Sequence, residues 1–178
     1  SGRPETDWLA TALAEMVRTE LGPASQLRLI PGENIARMRI ELALPEADTL
    51  ASDTLQRIRR NLGTDVVVLG SYLALGERGG GRIRLDVRVQ DTVSGETLAT
   101  LGETGQEADV FDLVARLGGR LRAALGGAVS AGDQTALVVR PADARVLRLY
   151  AEGLARLRVF DAQSARDRLL EATRLDPA

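Results

Sequence analysis

The chain has 178 residues, 44% of them hydrophobic and 27% charged, with 23 basic against 25 acidic side chains for a formal net charge of −2. At roughly 150 residues per domain this is one full domain and a remnant, with no charge excess to suggest a nucleic-acid surface. Cysteine, histidine and lysine are absent, which excludes thiol nucleophiles, imidazole or thiolate metal ligands, disulfides, Ser-His pairs, Schiff bases and a P-loop lysine, and leaves carboxylate chemistry or binding.

No stretch approaches the roughly 18 to 20 apolar residues needed to cross a bilayer, and Ser1-Gly2-Arg3-Pro4-Glu5 lacks the layout of a signal peptide. A soluble segment without direct membrane insertion is expected. From Thr6 to Leu21, Leu9, Ala12, Leu13, Met16, Val17 and Leu21 recur at helical steps until Gly22-Pro23 ends the run. Ser25 to Ile30, with Leu27 and Leu29 on one face, reads as a short strand, and a second helix is expected from Glu33 to about Leu42. After Pro45, Asp48 or Ser52 can cap a third helix with Leu55, Ile58 and Leu62 inward up to Gly63, while Arg57, Arg59 and Arg60 face water.

Asp65-Val66-Val67-Val68-Leu69-Gly70 is β-branched and apolar on both faces, so it is expected to be the central strand, covered on two sides. Its continuation, Ser71 to Leu75, meets the glycine-rich turn 76–81, after which Arg82 to Gln90 alternates with Ile83, Leu85, Val87 and Val89 on one face and Arg84, Asp86 and Arg88 on the other. Asp91 and Gly95 supply a turn, and Glu96 to Gly102 completes an antiparallel meander. Asp109 can cap a helix with Val110, Leu113, Val114, Leu117, Leu121 and Leu125 inward; Gly118-Gly119 inside it weakens the helix unless it permits close packing. Residues 127–140 read as a linker, and Ala142 to Val159 with Gln163 to Arg174 form a helical hairpin around Phe160-Asp161. Two helices cannot bury their shared apolar side alone, so the hairpin must pack on a neighbour, and Gly153 sits where close helix approach is useful.

No dinucleotide, P-loop, nucleophile-elbow or zinc-protease motif occurs. Gly79-Gly80-Gly81 lies between antiparallel strands and reads as a hairpin. Asp86 between Arg84 and Arg88 fits a solvated strand face better than acid-base work, and Asp91 with Ser94 and Glu96 fits a capped turn better than a metal site. Trp8, Tyr72, Phe111, Tyr150 and Phe160 are too dispersed for base stacking, so no nucleic-acid partner is expected; Trp8 reads as a core or sheet-cover residue. Arg57, Arg59, Arg60, Arg82, Arg84 and Arg88 would form a basic patch only if their elements were adjacent. No catalytic, cofactor-binding or metal-binding residues are assigned.

The run Asn61-Leu62-Gly63-Thr64-Asp65-Val66-Val67-Val68-Leu69-Gly70-Ser71, with Arg82 to Asp91 and Ser94-Gly95-Glu96-Thr97, resembles the TolB N-terminal-like (FlgO-like) domain. Tyr150-Ala151-Glu152-Gly153 with Ala165, Ala172 and Leu175-Asp176-Pro177 resembles the first unit of a tetratricopeptide array. The resemblance implies residues 1–126 as an α/β domain, a linker over 127–140 and a tetratricopeptide-like hairpin over 141–178. The fold expected is α/β, a mixed sheet with a three-strand antiparallel meander packed by helices. It further implies a non-catalytic sensory or protein-interaction module of a bacterial signalling protein, part of a membrane-anchored serine/threonine kinase, with this segment extracytoplasmic or periplasmic and a cytoplasmic placement left open. The strand that opens the family's domain is missing before Trp8, so the sequence is expected to begin inside the domain, with a protein or peptide partner, strand addition or homo-oligomerisation filling the gap. A structural spacer and a carboxylate-dependent hydrolase are the rival readings. A convergent carboxylate pair in a pocket would favour the hydrolase, and an open sheet edge would favour binding.

Overall fold

The computed structural model describes residues 7–22, 27–44, 47–75, 81–126 and 144–177. Helix α1 (Asp7–Leu21) is followed by α2 (Gly32–Glu41) and α3 (Ser52–Leu62), then by strands β1 (Val66–Leu75), β2 (Arg82–Asp91) and β3 (Thr97–Gln106). A 3₁₀ turn, Glu107–Asp109, leads into α4 (Val110–Ala124), and α5 (Ala144–Arg158) with α6 (Ala162–Leu175) closes the chain. The glycine run before residue 81 and the linker at 127–140 lie outside the described residues.

The alternation in β2 does what its period demands. Ile83, Leu85, Val87 and Val89 are buried, and with Leu9 and Leu13 of α1 and Val110, Leu113, Val114, Leu117 and Leu121 of α4 they make the main core. Each fully buried aliphatic side chain contributes about 1.5–3 kcal/mol. Two helices therefore cover one face of an α/β fold. The sheet among the described residues is antiparallel throughout, in the order β1-β2-β3.

On its other side α1 receives the hairpin. Ala12 packs with Leu147 and Ala151 of α5, flanked by Trp8, Met16 and Phe111. Small residues at both contact points let the helices approach, and Arg158 at the end of α5 pairs with Glu15. Trp8 is half-buried between the two clusters, with the Arg148 guanidinium 6.0 Å from its ring centroid. The hairpin's need for a neighbour is thus met by α1.

Several expectations are corrected. Strand β1 is an edge of the sheet, with β2 in the centre, and Val68 is 38% exposed instead of covered on both sides. Residues 27–30 form no strand; the carbonyl of Ile30 instead accepts from Arg18. Helix α3 starts after Ala51 with no side-chain cap, so neither Asp48 nor Ser52 caps it, and Asp109 makes no capping bond but ends the 3₁₀ turn. Strand β3 continues to Gln106, past the expected end at Gly102. Arg59 does not simply face water: it reaches Asp65 and, at 3.3 Å, the hydroxyl of Thr92.

Candidate functional site

The ten residues of β1 include no charged side chain and no proline, and their register with β2 runs from Val66↔Asp91 to Leu75↔Arg82 without a bulge. The Thr92 N–H donates to the Asp65 carbonyl at 2.9 Å. In an antiparallel ladder the backbone groups alternate in direction, so those of Val67, Leu69, Ser71 and Leu73 point to β2 and those of Val68, Gly70 and Ala74 point away. The Val66 carbonyl obeys the same rule. It accepts from the Thr64 hydroxyl at 2.9 Å, beyond the ladder.

That outward row meets no further strand among the described residues. Val68 and Leu73, 38% and 56% exposed, add apolar surface on opposite faces of the same edge. The other edge is built differently. Strand β3 has a register shift opposite Val89/Gln90, and it carries Glu103, which pairs with Arg120 at 2.7 Å and with Arg116 at 3.8 Å. Bulges and charges are the devices by which proteins keep a sheet edge from recruiting another chain. They guard β3 and are lacking on β1.

On the sheet face away from α1 and α4, a cleft of about 250 Å³ is lined by Asp48, Leu69, Ser71, Asp86, Arg88 and Thr100, together with backbone of β1 and β2. One wall is positioned by Gln90. Its side-chain carbonyl accepts from the Leu50 N–H at 2.9 Å, and its amide donates to the Leu50 carbonyl at 3.2 Å, so a 2%-exposed polar side chain fixes the segment preceding α3.

The cleft brings Asp48 and Asp86 to one hollow, yet the arrangement is poor for acid-base catalysis. Both Asp86 oxygens accept from Arg84, at 2.8 Å each, and this bidentate pairing holds the carboxyl below the usual aspartate range. A general acid needs the opposite shift. Asp91 is likewise held low, first by the backbone N–H of Ser94 and then by that of Val93. It caps its turn as the sequence suggests, and no cluster of three or more acidic residues suited to a metal occurs among the described residues.

The arginines are dispersed. Arg82, Arg84 and Arg88 share the outer face of β2 with Asp86 among them, whereas Arg57 and Arg60 border a separate hollow with Leu42 and Asn61. No helix among the described residues is long and apolar enough to cross a membrane. Sequence reasoning missed the edge because a strand apolar on both faces reads as interior; the signal it offered was the absence of any charge across residues 66–75. No family model, curated protein or solved structure matches the chain.

Proposed function

We propose that the chain is a non-catalytic sensory or protein-interaction module that receives an extended segment of another polypeptide along β1. The observation that carries this reading is the contrast between the two edge strands of the sheet among the described residues, β3 guarded by a bulge and a charged residue and β1 carrying neither. The sequence resemblance supports a setting in a bacterial signalling protein, where catalysis would belong to another part of the parent. Fixation of Asp86 by Arg84 weighs against the hydrolase. The seat of α5 on α1 favours a second reading, a rigid spacer or scaffold, because it ties the hairpin to the α/β layer through Leu147, Ala151 and Arg158.

The test is a titration of the chain with ten-residue uncharged peptides rich in valine, leucine and tyrosine, followed by amide chemical shifts. Binding is expected at Val68, Gly70 and Ala74. Gly70→Pro, which removes an outward N–H and leaves the β1–β2 ladder intact, should weaken it. Absence of any peptide response on β1 would leave the spacer reading, and ester or glycoside turnover abolished by Asp86→Asn would overturn both.

A further inference from the structure

We infer that the cleft on the outer face of the sheet binds a small zwitterionic amino acid, its carboxylate held by Arg88 and its ammonium group by Asp48. This goes beyond the docking reading and does not depend on any segment lying along β1. Register places Arg88 between Leu69 of β1 and Thr100 of β3, with Asp86 two residues away on the same face and Ser71 opposite Asp86. Arg84, Asp86 and Arg88 thus set two cations beside one anion. That anion is already engaged. Both Asp86 oxygens accept from Arg84 at 2.8 Å, and the pair lies over Gly102 of β3, where an added Cβ would stand 2.8 Å from Asp86 Oδ1 and 3.3 Å from a terminal nitrogen of Arg84.

Arg88 is left as the odd cation. It is half-buried and makes no hydrogen bond or ion pair among the described residues. A guanidinium drawn partly out of water keeps five N–H donors to satisfy, and a planar carboxylate matches two of them at once. Ser71 and Thr100, which line the same hollow, bring hydroxyls to the same group. The wall that Gln90 positions through Leu50 carries Asp48, which has no cationic partner among the described residues and does not pair with Arg88. A simple anion in the cleft would meet Asp48 as a like charge, and a simple cation would meet Arg88 in the same way. A molecule carrying both signs a short distance apart complements the two walls together. A volume of about 250 Å³ lies below the range of drug-sized ligands and restricts the occupant to a few carbon atoms.

The test is a titration of the full chain with glycine, β-alanine and γ-aminobutyrate, three amino acids of increasing charge separation, against acetate and glycinamide, which carry one charge each. Calorimetry and the shifts of the Arg88 Nε–H and the Thr100 amide report binding. At least one amino acid should bind saturably and more tightly than acetate or glycinamide. Arg88→Gln should weaken that binding about tenfold, and Asp48→Asn about two- to fivefold because its carboxylate is exposed. Arg82→Gln, on the same strand but outside the cleft, should leave it unchanged. No saturable response to any amino acid, a response that survives Arg88→Gln, or acetate binding as tightly as the amino acids with Asp48→Asn silent would each overturn the inference. Should Arg88→Gln not fold, the unmodified chain decides: an Arg88 Nε–H that shifts with the amino acid and not with glycinamide supports the site, and one that stays still refutes it.

Discussion

A Cβ placed on Gly118 of α4 would stand 2.7 Å from the Cβ of Glu20 in α1, closer than real side chains approach. Glycine at this position thus sets the separation of the two helices that cover the sheet. Gly118→Ala should cost about 1–3 kcal/mol by forcing them apart. Gly119, where an added Cβ would approach the tip of Arg122 no closer than 3.9 Å, should behave oppositely: Gly119→Ala should stabilise by about 0.5–1 kcal/mol through helix propensity alone. Urea denaturation of both variants checks the pair, and equal signs would refute the close-packing role.

The elements with an unambiguous period were legible in the residues. The β2 alternation, the α4 stripe and the hairpin all follow from local spacing, and the two glycines of α4 raised the question of close packing that Gly118 answers. The status of β1 was not legible, since Val66 to Leu69 is apolar on both faces whether a strand is central or terminal in its sheet; what decides it is that the sheet order among the described residues places β1 at one end. Gln90 ends the alternating run of β2, and nothing local reveals that its amide clamps Leu50, forty positions earlier. The cleft was hidden for the same reason, because Asp48 joins Asp86 through that clamp.

Gly153 plays the part of Gly118 within the hairpin. Its Cβ position lies 2.7 Å from Cγ and 2.8 Å from Cδ2 of Leu169. Gly153→Ala should destabilise by about 1–3 kcal/mol, and Leu169→Ala by a similar amount through a lost apolar contact. The double variant should cost less than the sum, because the smaller residue at 169 vacates the space the new methyl needs. A double-mutant cycle in thermal unfolding measures this coupling, and strict additivity would show that the two positions do not touch.

The Gln90 clamp holds one wall of the cleft by two hydrogen bonds to the backbone of Leu50. Gln90→Ala leaves that N–H and carbonyl without their partner and should cost about 1–3 kcal/mol. The consequence should be local as well as global: hydrogen exchange at Leu50 should accelerate more than exchange in α4. A uniform acceleration across the chain would show that Gln90 contributes to general stability without fixing this segment.

Acid should weaken the fold through its capped and paired aspartates. Asp91 accepts from the N–H groups of Ser94 and Val93, Asp161 from the N–H of Ser164 at the start of α6, and Asp86 from Arg84; all three carboxyls are held below their ordinary value. A carboxyl with a lower pKa folded than unfolded stabilises the fold above the unfolded value, about 3.9, and loses that contribution as pH falls through the folded one. Stability should therefore drop with pH below about 4 to 5. Asp91→Ala removes one of these groups, so its deficit relative to the unmodified chain should be larger at neutral pH than in acid. Urea midpoints measured for both proteins down to the acid limit of folding test this, and a deficit that stays constant with pH would show that ionised Asp91 does not hold the β2–β3 turn.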